Sequence, residues 1–261
     1  MKIVVCIKQV PDTTEVKLDP KTGTLIRDGI PSIMNPDDKG GLEYALQLKD
    51  EYGAEVTVIT MGPPQADAVL REAFAMGADR AILLTSRKFA GADTLATSTA
   101  LAGALKVLDF DLVLAGRQAI DGDTAQVGPQ IAEHLGIPQV SYLEDLKFDG
   151  KKTLRIKKQL EDGYQVVEVD TPCLLTCLAS AVKPRYMSVN GIMEAWNKEV
   201  EIWDTDKIDV AEEKLGLKGS PTKVKKAGAK EMKAAGVVKD GLSAEEAAEL
   251  IIEKLKEKFI I

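Results

Sequence analysis

The sequence predicts an α/β protein: a doubly wound, mostly parallel sheet that carries a β-hairpin and is followed by a C-terminal arm and helix. Three observations predict it. Short runs rich in β-branched and apolar residues alternate with longer stretches of helical period. These runs are apolar on both faces, as strands covered by helices on both sides must be. After the fourth helix the alternation gives way to two strand-like runs around the turn signal "EDG".

In chain order, "KIVVCI" is the first strand. "NPDDKGGLEYALQLKDEYG" is the first helix, with Asn35 at the N-cap and Pro36 at the first helical position. Asp37 and Asp38 suit the positive end of its dipole. "AEVTVITMG" is the second strand, and "PPQADAVLREAFAMGA" the second helix, ending at Gly77. "RAILLT" and "ADTLATSTALAGALKVL" are the third strand and helix, and "DLVLAG" is the fourth strand. "KTLRIKKQL" and "YQVVEV" form the hairpin, and "PCLLTCLAS" is a further buried strand. The parallel strands require right-handed crossovers.

From about Ala195 the packed rhythm is lost. "KLGLKGSPTKVKKAGAKEMKAAGVV" is rich in Lys and Gly and reads as a solvated or partner-wrapping arm. "LSAEEAAELIIEKLKEKFI" is a terminal helix, with a capping box of Ser243 and Glu246. Ala244, Ala247, Ala248, Ile251, Leu255 and Phe259 share one helical face, which suits docking on another chain. The expected organisation is therefore residues 1–195 as the α/β domain, 196–240 as an extended arm and 241–261 as a docking helix.

Composition narrows the function. The chain has 261 residues, of which 45% are hydrophobic and 29% charged, and a net charge of −7. That charge argues against nucleic acid as a partner. No apolar run reaches the roughly 20 residues of a membrane span, and the N-terminus enters a strand without a signal-peptide pattern, so a cytoplasmic protein is expected. Cys6, Cys173 and Cys177 lack a second Cys/His pair for zinc and read as buried apolar residues. His134 is the single histidine, placed near a helix end, where it suits terminal carbonyls. Triad hydrolysis is thereby disfavoured.

The chemistry concentrates in "AGRQAIDGDTAQVGPQIAEHLG", Ala115 to Gly136. In doubly wound sheets, ligands sit at the carboxyl ends of strands where the strand order reverses. Here those ends are Cys6, Ile7 and Lys8 on the first strand and Ala115 and Gly116 on the fourth. Gly116 permits close approach, and Arg117, Gln118, Asp121 and Gly122 lead into the helix. Asp123 and Gln126 have capping-box spacing, so the helix is expected to begin near Thr124 with Asp123 as its cap and Gly122 easing the turn. Backbone N–H groups of that first turn and the Thr124 hydroxyl would hold phosphate oxygens, with no lysine needed. Neither a P-loop lysine nor a metal-positioning motif is present, which favours holding a cofactor over phosphoryl transfer. A capped helix with no ligand explains the same residues. "FAGADTLATS", Phe89 to Ser98, is a second candidate, where Asp93 or Thr94 opens a helix after Gly91.

"MKIVVCIKQVPD", "NPDD", "MGADRAILL", "DLVLAGRQAIDGDTAQVGP" and "KPRYMSVNGIM" together, in this order from Met1 to about Ala195, resemble the electron transfer flavoprotein β subunit. The resemblance implies an adenine nucleotide α-hydrolase-like fold and an obligate heterodimer with an α subunit. The terminal helix would then pack in a mobile FAD domain built largely by the α subunit. In one branch of the family the β chain holds a structural AMP. In the bifurcating branch it holds an FAD that takes hydride from NADH. Electrons then pass to an acyl-CoA dehydrogenase through the α-subunit FAD, and to ferredoxin or flavodoxin. "DGDTAQVGP" and "GADTLATS" look like the bifurcating type. By this resemblance, adenine and ribose lie near Cys6, Ile7, Asn35, Asp38 and Met61. Phosphates lie near Thr124, Ala125, Gln126, Val127 and Gly128, and Asp93, Thr94, Thr97 and Ser98 reach the outer part of an FAD. No side chain need act as an acid–base catalyst. The family's dehydrogenase-docking loop matches Arg185, Tyr186, Met187, Ser188, Val189, Asn190, Gly191 and Ile192. Val189 stands where the family has a larger leucine, and Glu194 and Asn197 stand where mammalian relatives carry lysines. A non-redox nucleotide-binding regulator of the universal-stress type is the rival reading from another class.

Overall fold

The computed structural model describes residues 1–12, 31–223, 236 and 238–261. The chain divides into two compact units, residues 1–227 and 228–261.

In the first unit, β1 (Lys2–Cys6), β4 (Glu55–Met61), β5 (Arg80–Leu84), β6 (Leu112–Gly116) and β10 (Cys173–Cys177) are the apolar runs read as buried strands. A two-stranded antiparallel ribbon, β2 (Gln9–Pro11) and β3 (Ser32–Met34), follows β1. β7 (Gln139–Phe148), β8 (Thr153–Leu160) and β9 (Gly163–Asp170) form a meander whose last two strands are the expected hairpin. β11 (Val200–Trp203) pairs in parallel with β5. The nine-stranded sheet has the order β11-β5-β4-β1-β6-β10-β7-β8-β9. Only the β7–β8 and β8–β9 pairs are antiparallel. The winding runs outward from β1 through β4 to β5, then reverses to β6 on the other side of β1. That reversal puts the carboxyl ends of β1 and β6 side by side, with Cys6 opposite Ala115.

Strand alternation divides the core between two layers. Ile3, Val5, Leu112 and Leu114 face α1 (Pro36–Tyr52) and α2 (Asp67–Met76). Val4, Val113 and Ala115 face α3 (Thr94–Lys106) and α4 (Val127–Leu135). Gly53 ends α1 at φ 68° and donates its N–H to the Lys49 carbonyl, the left-handed cap for which glycine is suited. A short helix, α5 (Val189–Ala195), packs on α2.

The arm expected from residue 196 begins later. Val200–Trp203 extends the sheet, and Ile208, Leu215 and Ser220 are buried. "VEIW" is itself a β-prone alternating run, and pairing with the open edge of β5 gives its backbone groups partners. Residues 224–235 and 237 of the expected arm lie outside the described residues. In the second unit, α6 (Ala244–Glu257) starts with both bonds of the Ser243–Glu246 capping box. Phe259 does not continue its apolar face: it follows the helix at φ 56°.

Candidate nucleotide site at the carboxyl ends of β1 and β6

The first turn of α1 organises both strand ends. The Asp38 carboxylate accepts the Lys8 N–H at 2.7 Å and the Gly116 N–H at 2.9 Å, so one side chain joins β1 to β6. Asp37 accepts the Ala179 N–H at 2.8 Å and lies 3.3 Å from Arg117 Nε. Asn35 sits at the N-cap position, but its side chain makes no capping bond. It donates to the Gln118 carbonyl at 2.8 Å and accepts the Ile120 N–H at 3.1 Å, which fastens the loop beyond β6. Burial pushes the Asp38 carboxyl up to about 7, against the stabilising Asn35, Lys8 and Gly116 contacts. Burial likewise pushes the Cys6 thiol up to about 12, with Asp38 adding to it. All three cysteines are free and buried, and no metal-holding group of His, Cys, Asp and Glu occurs among the described residues.

The expected helix start is corrected. α4 begins at Val127, and the Asp123 side chain caps nothing; it accepts from Gln118 Nε2 at 2.8 Å. Pro129 is the sequence signal for this. A helix beginning at Thr124 would put it in the interior, whereas a start at Val127 puts it in the first turn, where a missing N–H costs nothing. Gly122 is not the strained residue either. The positive φ values belong to Asp123 at 49° and Ala125 at 52°. With Gln126 in the right-handed region, the backbone alternates in hand before the helix, a geometry that turns successive N–H groups toward one point. The N–H groups of Thr124, Ala125, Gln126, Val127 and Gly128 find no acceptor among the described residues. An anion-sized acceptor fits such a cradle, and the α4 dipole favours negative charge there.

Glycines set the tight contacts around it. A Cβ on Gly116 would collide with Asp38 and lie 2.8 Å from the Asp37 Cβ, so this glycine serves the α1 contact rather than ligand approach. A Cβ on Gly128 would lie 2.6 Å from the Thr176 methyl, so this glycine lets α4 close on β10. Lys8 and Asp121 pair at 2.6 Å across the mouth. Ile7 is buried and Met61 partly buried at the ends of their strands.

The second candidate is closed by protein groups. Asp93 caps α3, accepting the Ala96 N–H at 3.0 Å and the Thr222 hydroxyl at 2.7 Å. Burial opposes ionisation of Asp93, but the Ala96 and Thr222 donors together hold it below the usual carboxylate range. Ser98 is fully buried and bonds the Leu95 carbonyl and Gln130. His134 does not serve terminal carbonyls; its Nε2 meets Ser98 at 3.2 Å and Thr99 at 3.3 Å. Thr97 donates its N–H within the helix start. Only Thr94 reaches toward the cradle, donating to Gln126 Oε1 at 2.8 Å.

Residues 185–192 lie elsewhere, around α5. Tyr186, Met187, Val189 and Ile192 are exposed, and Ser188 caps the helix. The Arg185 guanidinium is committed to Glu43 and Asp50 of α1. Gly191 packs against the Ala75 carbonyl.

Fold and site together define a doubly wound α/β protein whose switch point carries a run of amides without acceptors among the described residues. Residues 22–208 match the electron transfer flavoprotein domain. The chain is 63% identical over 261 residues to the electron transfer flavoprotein subunit beta of Clostridium acetobutylicum, with all of both chains covered. It is 56% identical over 263 residues to the caffeyl-CoA reductase-Etf complex subunit CarD of Acetobacterium woodii, again with full coverage of both. It is 48% identical over 270 residues to the acryloyl-CoA reductase electron transfer subunit gamma of Anaerotignum propionicum, also over the full length of both. The chain therefore belongs to the electron transfer flavoprotein family, on its β-subunit side. Membership implies a flavin or nucleotide cofactor, which agrees in chemistry with the cradle.

Proposed function

We propose that this chain holds FAD at the α4 cradle, within a heterodimer with an electron transfer flavoprotein α subunit. The observation that carries this reading is the run of five amides from Thr124 to Gly128 that find no acceptor among the described residues. These amides suit the pyrophosphate, with Asp38 and Asn35 holding the strand ends and loop that shape the site. A flavin held there would supply two-electron acceptance from NADH and one-electron release, toward an acyl-CoA dehydrogenase through the α subunit and toward ferredoxin or flavodoxin. The chain's own part is binding, orientation and water exclusion. Gly91, Ala92 and Thr94 are small and not buried, and side chains of that size would permit a nicotinamide to approach. Relatives named for caffeyl-CoA and acryloyl-CoA reductase systems support a reductase partner of the acyl-CoA type. The exposed side chains of Tyr186, Met187, Val189 and Ile192 form the proposed docking face, while Arg185 anchors it to α1.

The test is a flavin count and anaerobic mixing with NADH. The purified heterodimer should carry about two flavins and be reduced by NADH without a separate diaphorase. One flavin with AMP released on denaturation, and flavins that stay oxidised, would replace this reading by the AMP-holding carrier. A preparation with no flavin would point to the non-redox regulator.

A further inference from the structure

One residue beside the cradle has a backbone conformation that its side chain disfavours. Tyr142 has φ 62°, in the left-handed region, on a strand. The pairing of β7 with β10 shifts register between Val140 and Leu143, so Tyr142 lies in a bulge. An aromatic residue in this region is an outlier that persists only where its surroundings impose it. Tyr142 donates its N–H to Thr176 Oγ1 at 3.2 Å, and the methyl of that same Thr176 is the group Gly128 accommodates. The bulge therefore adjoins the start of α4.

Arg117 is the second half of the arrangement. It follows β6 directly and donates its N–H to the Cys177 carbonyl at 2.8 Å, at the carboxyl end of β10. Its Cζ lies 6.0 Å from the Tyr142 ring centroid. Its Nε is buried 3.3 Å from Asp37 but makes no hydrogen bond. None of its guanidinium nitrogens has a hydrogen-bond acceptor among the described residues. A guanidinium with one side on an aromatic ring, a carboxylate beside Nε and unspent donors is set to take a phosphate oxygen.

We propose that Tyr142 is a positioning residue: its ring holds the Arg117 guanidinium toward a phosphate seated at the start of α4. The inference rests on the reading of the cradle as a nucleotide site. The bulge is retained because it aims the ring, at a cost in backbone strain. Tyr142→Gly removes the ring and relieves the left-handed strain, whereas Tyr142→Phe keeps the ring.

The experiment uses the heterodimer stripped of nucleotide and titrated calorimetrically with AMP and with adenosine. AMP is the part shared by both cofactors in question. In Tyr142→Gly the affinity for AMP should fall about tenfold while that for adenosine is unchanged, because only the phosphate contact is weakened. Tyr142→Phe should bind both as the wild type does. Arg117→Ala should show the same selective loss, and adding Tyr142→Gly to it should cost nothing further. Unchanged AMP binding in Tyr142→Gly, or equal losses for AMP and adenosine, would overturn the proposal alone. A wild-type heterodimer whose β chain binds neither ligand would overturn the nucleotide reading and this inference with it.

Discussion

Two helices, α3 and α4, start at the same end of the sheet, and their first turns are opposites. α3 is closed. Asp93 caps it through its side chain, and its own N–H is taken by Ser220 at 2.8 Å. α4 is open. It has no side-chain cap, two left-handed residues precede it and five amides lack acceptors among the described residues. A helix N-terminus is therefore not a site by default; it becomes one when the protein leaves its donors unspent. The closed start of α3 leaves it no donors for the proposed ligand, and among the described residues Thr94 is its one link to the cradle.

The largest effect on this contrast should come from Gly128→Leu. The side chain would strike Thr176 and push α4 off β10, at a cost of about 1–3 kcal/mol through overpacking. Chemical denaturation and nucleotide content should both register it, with the cradle emptied. Retained nucleotide would mean the ligand does not sit on α4.

Asp38→Asn comes next. An amide there must turn its NH2 toward the Lys8 or Gly116 N–H, leaving a buried donor unpaired at about 1–3 kcal/mol. It also carries a pH signature. In the folded protein Asp38 keeps its proton up to about 7, whereas its ordinary value is 3.8. Between those limits the folded state binds more protons than the unfolded one, so its contribution to stability falls as pH rises and levels off above the folded value. Stability measured across this window should lose that downward component in Asp38→Asn. An identical pH profile in the variant would assign the slope to another group.

Ala125→Val and Asp93→Ala exchange the roles of the two helices. A β-branched residue at φ 52° should cost about 1–3 kcal/mol and loosen the nucleotide. Losing the Asp93 cap should cost about 1 kcal/mol and leave the nucleotide in place. If Asp93→Ala empties the site and Ala125→Val does not, the assignment of open and closed helices is reversed.

The smallest effect should be that of Asp123→Ala. Read as a helix cap, this residue would be worth about 1 kcal/mol. Among the described residues its exposed carboxylate instead meets only the Gln118 amide, so about 0.5 kcal/mol is expected from thermal melting. A full cap-sized loss would restore the earlier helix start.

The sequence by itself determined the buried parallel strands, the β8–β9 hairpin and the longer helices, because those signals are local, whereas β2, β3, β7 and α5 were not legible in it. Apolar runs such as "KIVVC" and "LVLAG" are buried along nearly their whole length, Asp93 caps α3, and Ser243 with Glu246 caps α6. The adjacency of β1 and β6 was also legible, since the winding reverses between them. The shape of the cradle was not. The left-handed turns at Asp123 and Ala125 follow a loop that Asn35 holds from 85 residues away and that Asp37 and Asp38 anchor at its root. A capping pattern four residues long loses to such contacts, because several buried bonds from a remote helix outweigh one exposed cap. The same holds for β11, whose four residues become a strand only where the edge of β5 offers its unpaired backbone. Tertiary structure decided what depends on partners distant in sequence: strand order, the unspent amides of α4, and the strained backbone of Tyr142 on its bulge.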